Sequence, residues 1–344
     1  MNKQKQKLFL KYLEDFPVQA EKALEMVNAV EEISYDSSNI RYIVILGMGG
    51  SAIAGDLLAA YTESQLEIPV VVIRNYHLPA YVNENSLVIA SSYSGNTEET
   101  LSAFNEALER KCMTMVISSG GELGELAKQK GLPWITLPEG FPPRQALGYS
   151  FFSLLFVLDK MGIIKVNKND VNETVTLLKD ILFRQHPDHG DKKHISYNIA
   201  EAIYKHIPVI YTGVSAYYPI ARRIQNQLHE NAKVLAFSNV IPEMNHNEIV
   251  GWDYDKKILN QFSVLFLRDE NEDGQIQKRV NITKDIIHKK SSSVIELYPE
   301  GKSLLAKMFS LIYQGDWISY YLAVLCDKDP AEIKNIDYLK SKLK

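Results

Sequence analysis

The sequence repeats one pattern in its two halves, and this repeat limits the fold more than any other feature. In each half an apolar run ends at a glycine and leads into a helical stretch, at Gly47 in "RYIVILGMGGSAIAGDLLAAY" and at Gly213 in "IPVIYTGVSAYYPIARRIQNQL". Each half also contains Pro-Glu-Gly, ending at Gly140 and Gly301, before a long apolar helix. The two glycines of a half are 93 positions apart in the first and 88 in the second. We interpret the pattern as a weak internal duplication.

Runs rich in valine and isoleucine alternate with helical stretches in both halves. The first half contains "PVVVIRNY", "SLVIASSYS", "CMTMVISS" and "PWITLPEG", and the second contains "QFSVLFLRDENED" and "SSVIELYPEG". Strands of this kind, separated by helices, are typical of a parallel sheet that helices cover on both faces. The sequence therefore predicts an α/β protein with two flavodoxin-like domains of similar topology, residues 1–162 and 163–344.

The composition argues against several classes of partner. The 344 residues carry a net charge of −4, which argues against a broad surface for nucleic acid or anionic membrane. Apolar runs stay well below the ~20 residues that a membrane-spanning helix needs, and the amino terminus lacks the apolar stretch of a signal peptide. The two cysteines, Cys112 and Cys326, lie far apart and are interpreted as reduced thiols. These features predict a cytoplasmic protein that binds neither nucleic acid nor membrane.

The segment "SSYSGNTEET", residues 91–100, stands where an apolar strand gives way to a helix. Ser92, Ser94 and Thr97 offer hydroxyl donors, and Gly95 lets the backbone approach a ligand closely. Ligands bind parallel sheets beyond the carboxyl ends of the strands, and the free amides of a helix N-terminus attract anions. The segment therefore predicts a phosphate site. The alternative is an ordinary serine or threonine cap followed by acidic residues in the first helical turn.

The first glycine-rich turn has two interpretations. Gly47, Gly49 and Ala52 fit a relaxed form of the dinucleotide-binding fingerprint, but the second strand ends in "IRNY", without the acid that this fingerprint requires. Gly50 and Ser51 would instead add an amide and a hydroxyl to the same anion site. A Walker-type lysine motif is absent from the sequence. We therefore predict no cofactor.

Five motifs in order resemble one known family. They are "GMGGSAIAGD", "SSYSGNTEET", "GFPPRQALGYS", "HENAK" and "NHNEIVGW". Together they resemble the bifunctional phosphoglucose/phosphomannose isomerases, which are sugar-isomerase (SIS) domain proteins of the phosphoglucose isomerase superfamily. The resemblance covers nearly the whole chain, including the tail "LKSKLK". It implies two SIS domains, a homodimer with sites shared between subunits, and no metal. It also implies interconversion of glucose 6-phosphate, and of mannose 6-phosphate, with fructose 6-phosphate through a cis-enediol.

The resemblance also implies roles for individual residues. Glu230 of "HENAK" corresponds to the catalytic base, Arg144 of "PPR" to the arginine that faces the enediolate, and His246 to the ring-opening histidine. Lys340 corresponds to a lysine that contacts the substrate ring. The positions that match the phosphate site are Gly50, Ser51, Ser92, Ser94 and Thr97. One position departs from some family members, in which a hydroxyl residue linked to mannose stands seven positions before the terminal lysine. If the tail aligns without gaps, Ile333 stands there in this chain.

The chemistry of such an isomerase needs these residue types. A carboxylate can take the C2 proton and return it at C1, and an arginine can stabilise the charge that develops on O1 and O2. A histidine titrates in the range needed to open the sugar ring. Each residue also has a simpler interpretation. Glu230 could be a solvated charge at the end of a helix over 215–229. Likewise, His246 could be a turn residue between Asn245 and Asn247, and Lys340 could be one charge of a basic tail. Arg144 could cap a helix or pair with an acid.

Three other functions remain open at this point. A non-catalytic sugar-phosphate sensor would keep the hydroxyl loop but would not need Glu230, His246 and Arg144 together. The aminating isomerase of glucosamine 6-phosphate synthesis needs a glutaminase domain with an amino-terminal cysteine, whereas this sequence starts Met-Asn-Lys. The cluster "HPDHGDKKH" at 186–194 could hold a metal, but its spacing fits no standard histidine pair on a helix, and it is interpreted as a loop.

Overall fold

The computed structural model describes residues 3–30, 33, 35–189 and 194–343. The chain divides into two compact units, Asp15–Val175 and a unit that combines Met1–Glu14 with Thr176–Lys344. This division differs in two ways from the predicted domains, residues 1–162 and 163–344. The first helix belongs with the carboxyl-terminal unit, and the later boundary lies after Val175.

Helix α1 (Lys3–Asp15) packs on the last long helix, α12 (Leu304–Leu325). The rings of Phe9 and Tyr320 stack with their centroids 6.2 Å apart, and the Tyr313 hydroxyl donates to the carbonyl oxygen of Leu13 at 2.6 Å. These contacts join residues some 300 positions apart in sequence.

The unit Asp15–Val175 is built on a parallel sheet of five strands among the residues described. Its strands lie in the order β2-β1-β3-β4-β5, the order of flavodoxin-like folds. Strands β1 and β3 are almost entirely buried, as expected for β-branched runs in a sheet covered on both faces. The elements are α2 (Gln19–Ala29), β1 (Tyr42–Leu46), α3 (Gly49–Thr62), β2 (Val70–Ile73), β3 (Ser86–Ser91), α4 (Glu98–Glu109), β4 (Met113–Ser118), α5 (Gly121–Lys130), β5 (Trp134–Thr136), α6 (Leu147–Lys160) and the start of α7 (Lys168–Gln185).

The carboxyl-terminal unit repeats this topology. Its described residues form a parallel sheet in the order β7-β6-β8-β9, which corresponds strand for strand to β2-β1-β3-β4. Besides α1, the end of α7 and α12, its elements are α8 (Ile195–Ile203), β6 (Ile207–Thr212), α9 (Tyr218–Gln227), β7 (Phe237–Val240), α10 (Lys256–Leu259), β8 (Phe262–Leu267), α11 (Gly274–His288), β9 (Ser293–Leu297) and α13 (Lys334–Leu343). The predicted fold class and the internal duplication are therefore confirmed.

The edge strand β7 is an element that the sequence does not predict. Its residues, "FSNV", lack a run of apolar side chains, and Phe237 is exposed. An edge strand pairs on one side only, so its side chains need not be buried like those of β6 and β8.

Two long helices are buried nearly along their whole length, α6 and α12, each of which follows a Pro-Glu-Gly segment. Within the described parts of the chain, a helix with the length and hydropathy to cross a membrane is not found.

Candidate active site

The loops that follow β1 and β3 meet beyond the carboxyl ends of these neighbouring strands. Ser51 lies in the first turn of α3, and its hydroxyl oxygen accepts a hydrogen bond from the backbone amide of Tyr93 at 3.2 Å. In the strand order 2-1-3-4-5, the crevice for ligands opens between the first and third strands. The structure therefore brings Ser51 and the segment 91–100 together at the place where this fold binds ligands.

The hydroxyls of this segment bond to each other rather than to the helix that follows. The Oγ of Ser92 and the Oγ1 of Thr97 are 2.8 Å apart. Thr97 precedes the first residue of α4, yet in the described structure its side chain makes no capping hydrogen bond to that helix. Thr97 thus occupies the N-cap position of α4, and Glu98 and Glu99 follow in the first turn, but its hydroxyl bonds to Ser92 instead of capping the helix. Ser94 is exposed, and its hydroxyl accepts from the amide of Asn96 at 3.3 Å.

Gly95 and Asn96 hold the segment against the loop that follows β4. Gly95 has a φ of +68°, and a Cβ at this position would lie 1.8 Å from the carbonyl oxygen of Gly120. The side-chain oxygen of Asn96 accepts from the amide of Glu122, in the first turn of α5, at 2.9 Å. The amide of Ser119 donates to the carbonyl oxygen of Tyr93 at 2.8 Å. These contacts explain why Gly95 is followed by Asn96. The sequence alone does not explain this pair, because its partners, Gly120 and Glu122, lie after the next strand.

Arg144 lies in a short 3₁₀ turn, Pro143–Gln145, that packs against the start of α3. A Cβ at Gly50 would lie 2.9 Å from the carbonyl oxygen of Pro143, so the close approach of the two segments requires glycine. The buried amide of Gln19 holds the turn from the other side by donating to the carbonyl oxygen of Gln145 at 2.8 Å. The structure thus brings Arg144, which is buried, to the end of the sheet that carries Gly50 and Ser51.

The corresponding position of the carboxyl-terminal unit is occupied by its own carboxylates. The loop after β8, the counterpart of β3, contains Asp269, whose carboxylate accepts from the Tyr217 hydroxyl and from the Lys307 ammonium at 2.9 Å. Burial raises the pKa of the Asp269 carboxyl. The hydrogen bonds lower this pKa by more than burial raises it, so it lies below its usual value. Asp273 caps α11 by accepting from the amides of Gln275 and Ile276. Carboxylates of the protein thus already accept from the donors at this position, so the phosphate prediction stays with the first unit.

Glu230 lies in an irregular turn at the end of α9. The α-helix ends at Gln227 and continues as a π-turn, Leu228–Ala232, so Glu230 lies within helical backbone rather than after it. The side chain is half-buried and lines a cavity of about 540 Å³. The other residues around the cavity are His229, Lys233, Val234, Leu235, Glu332, Ile333, Lys334, Asn335 and Ile336.

Lys233 connects this π-turn to the chain segment before α13. Its backbone is left-handed, with a φ of +60°, and its ammonium donates to the carbonyl oxygens of Glu230 and Asp329, both at 2.6 Å. The segment after Asp329 brings Ile333 to the cavity. Lys340 is exposed on α13, one turn beyond Ile336 on the same face, and is not among the described residues that line the cavity.

His246 is exposed at the end of a 3₁₀ turn, Glu243–His246, that follows β7. Its two neighbours fix the turn, because Asn245 donates to the Thr283 hydroxyl at 2.8 Å and Asn247 accepts from the amide of Glu248 at 2.6 Å. His246 is not one of the described residues that line the cavity beside Glu230. The structure therefore places this histidine on a fixed, exposed turn outside that cavity.

The histidine-rich segment 186–194 falls partly outside the described residues, which exclude 190–193. Within the described part, the Nε2 of His186 lies 3.0 Å from a carboxylate oxygen of Glu14, and its ring packs on that of His189. A group of three or more potential metal ligands does not occur among the residues that the structure describes.

Comparisons with known proteins agree with this architecture. Residues 38–159 match the SIS domain family, and residues 192–343 match the bacterial phospho-glucose isomerase C-terminal SIS domain. A bifunctional phosphoglucose/phosphomannose isomerase of Caldicellulosiruptor bescii is 43% identical over 96% of this chain and 97% of that protein. A protein of the same name from Aquifex aeolicus is 38% identical over 91% of this chain and 94% of its own length.

A solved structure shows the same fold at low identity. The C-terminal domain of glucosamine-fructose-6-phosphate aminotransferase from Francisella tularensis superimposes with a TM-score of 0.69 at 17% identity. The match covers 93% of this chain and 96% of that domain, so the pair of SIS domains is common to both.

Proposed function

Because the chain belongs to the family of bifunctional phosphoglucose/phosphomannose isomerases and is an aldose–ketose isomerase, we propose that it converts both glucose 6-phosphate and mannose 6-phosphate to fructose 6-phosphate. The two relatives of this name from Caldicellulosiruptor bescii and Aquifex aeolicus match it over 97% and 94% of their own length. The observation that supports the assignment best is a carboxylate, Glu230, in a cavity of about 540 Å³. A non-catalytic sensor of sugar phosphates would need the hydroxyl loop but not this carboxylate.

The phosphate binds the first unit in this proposal. Two helices, α3 and α4, begin beside the loop, and their free amides supply donors and the positive ends of two helix dipoles. Ser51, Ser92, Ser94 and Thr97 add hydroxyls, and Gly50 exposes a further amide. The contact of Ser51 with the Tyr93 amide ties the two loops together, so these donors are already arranged before the ligand binds.

Glu230 acts as the base that takes the C2 proton and returns it at C1. Glucose 6-phosphate and mannose 6-phosphate differ only at C2, so both give the same enediol once this proton has left. Arg144 stabilises the negative charge on O1 and O2 of the intermediate, because a guanidinium stays charged and donates in a fixed plane. Ile333, which lines the cavity with Glu230, offers no hydroxyl, so water or a neighbouring group must orient O2 of mannose 6-phosphate.

His246 and Lys340 complete the site. The histidine opens the sugar ring by exchanging protons at O1 and O5, and the lysine contacts the ring. We assign His246 to the site of the second subunit of a homodimer. Two observations support this: His246 is exposed away from the cavity of Glu230, and Val250 and Tyr254, a few residues later, are 73% and 68% exposed. A partner subunit would remove these apolar side chains from water, which is favourable.

A cytoplasmic location is part of the same proposal. Cys112 and Cys326 are unpaired thiols in the structure, as proteins of a reducing compartment usually have. The substrate is a phosphorylated sugar, so nucleic acid and membrane have no role in it.

The test of this function is an assay of fructose 6-phosphate formation from each sugar, with and without a chelator. We expect turnover of glucose 6-phosphate and mannose 6-phosphate, unchanged by EDTA. Loss of all activity in EDTA, restored by a divalent ion, would instead indicate a metal-dependent isomerase. Binding of both sugars without turnover would support the sensor.

Subunit mixing tests the shared site. The variants Glu230→Gln and His246→Ala should each be inactive alone. After exchange of subunits at equal amounts, we expect about a quarter of wild-type activity, since half of the dimers are hybrids with one intact site of two. The exchange itself is verified with differently tagged subunits. No recovery in verified hybrids would place His246 in the site of its own subunit.

A further inference from the structure

Among the buried polar side chains of helix α12 are Asp316 and Ser319, which are 1% and 0% exposed. Both face α9 and the π-turn that follows it. Arg223 donates to the two carboxylate oxygens of Asp316 at 2.7 and 2.9 Å, and Gln227 donates to the same carboxylate at 2.7 Å. Asn231 donates its side-chain amide to the Ser319 hydroxyl at 2.9 Å. A continuous polar strip therefore joins α12 to the segment that contains Glu230.

Such a strip is poor evidence for stability, because burying an ion pair removes two charges from water. The better-supported use of a buried polar contact is to fix one register of two packed elements. Here the contact fixes α9 on α12, where Gly315 already lets Ile224 approach so closely that a Cβ would lie 2.4 Å from it. The Ser319 hydroxyl donates to the carbonyl oxygen of Asp316 at 2.7 Å, which orients it as an acceptor for Asn231.

The π-turn brings Asn231 to this strip. Arg223, Gln227 and Asn231 are spaced four apart. An α-helix has about 3.6 residues per turn, so each step of four residues rotates the side chain slightly past its starting direction. After two such steps in an α-helix, Asn231 would point away from α12. A π-turn contains more residues per turn, and this wider turn rotates Asn231 back to the face of Arg223. Glu230, the preceding residue, then lines the cavity on another side of the turn.

We propose that the Asn231–Ser319 hydrogen bond, anchored by Asp316 with Arg223 and Gln227, positions Glu230 for proton transfer by holding the π-turn. The proposal rests on the proposed role of Glu230 as the base. π-Turns are rare, because the extra residue distorts a regular helix, and they are frequent at functional sites. Without this bond the turn can relax toward α-helix, and a slip of one residue would rotate the Glu230 side chain by about 100°.

The test compares two buried serines of α12 whose hydroxyls accept hydrogen bonds from different groups. Ser319 and Ser310 are both fully buried, and both donate to the carbonyl oxygen three residues earlier. Ser319 accepts from Asn231, whereas Ser310 accepts from the backbone amide of Glu300 at 2.9 Å. The variants Ser319→Ala and Ser310→Ala therefore make the same chemical change in the same buried helix, and thermal unfolding of both measures the structural effect.

The readout is the fate of deuterium in glucose 6-phosphate labelled at C2. A well-placed carboxylate returns part of the label to C1, whereas a displaced one loses it to water before the transfer is complete. This ratio does not depend on how much enzyme is folded. For Ser319→Ala we expect kcat to fall about tenfold to a hundredfold, because small misplacements of reacting groups reduce rates by such factors. We also expect KM to change little and less label to be retained. Ser310→Ala should keep kcat within about twofold and retain the wild-type label ratio.

A double-mutant cycle gives the second measurement. Adding Asn231→Ala to Ser319→Ala should lower kcat little further, since both substitutions remove the same hydrogen bond between Asn231 and Ser319. Equal effects of Ser319→Ala and Ser310→Ala, with label retention as in the wild type, would overturn the positioning role. Failure of the base assignment is separate, because it would appear as turnover by Glu230→Gln whatever the serine variants do.

Discussion

Replacing Glu230 with glutamine should abolish isomerisation and leave substrate binding largely intact. Glutamine keeps the shape and hydrogen bonding of the side chain but cannot take the C2 proton. General acid–base groups contribute about 10²–10⁴-fold, so we expect kcat to fall by about a hundredfold to ten-thousandfold. The rate is measured as fructose 6-phosphate formed from each aldose, and binding by calorimetry with an open-chain sugar-phosphate analogue.

Glu332 provides the matched control for this variant. It is the other carboxylate among the described residues that line the cavity, and it pairs with Lys334 at 2.9 Å. Glu332→Gln removes the same charge from the same cavity, so it should lower kcat less than tenfold if charge alone matters little. Near-normal turnover in Glu230→Gln would exclude Glu230 as the base. An equal loss in Glu332→Gln would assign the effect to the charge of the cavity rather than to proton transfer.

The fold could be predicted because its signals are local. Buried strands such as β1 and β3 are runs rich in valine and isoleucine, and the turns after them contain glycine, so strand and helix can be identified segment by segment. The placement of α1 could not be predicted in this way. Its contacts with α12 join Phe9 and Leu13 to tyrosines at the far end of the chain, and no local pattern encodes such a pairing.

The same distinction applies to the site. The hydroxyls at 92, 94 and 97 lie within six positions and follow a strand, so the sequence predicts that they act together. The partner of Asn231 is 88 residues away on α12, and the π-turn that brings them together leaves no mark in the propensities of "LHENA". The sequence therefore predicts a role for Glu230 through its motif, but it could not predict the contact between Asn231 and Ser319.

The second large effect is expected from Gly95→Ala, because this glycine has no room for a side chain. Its Cβ would lie 1.8 Å from the carbonyl oxygen of Gly120, a backbone atom that cannot rotate away. The segment 92–97 must then move away from the loop after β4, and its hydroxyls and amides lose their arrangement. The loss of two hydrogen bonds to a charged phosphate is worth about 3 kcal/mol or more, equivalent to about a hundredfold in affinity. The measurement is the affinity for fructose 6-phosphate and for inorganic phosphate.

Gly131→Ala separates this clash from backbone strain. Gly131 ends α5 with a φ of +63°, close to the +68° of Gly95, but a Cβ there would meet no atom of the described chain within 4 Å. Both variants therefore force alanine into the left-handed region, which costs about 1–2 kcal/mol of stability. Only Gly95→Ala adds the clash beside the hydroxyl loop. We expect Gly131→Ala to lower the melting temperature while phosphate affinity stays within about twofold of wild type. If Gly95→Ala bound phosphate as tightly as Gly131→Ala does, the phosphate would have to bind elsewhere than on this loop.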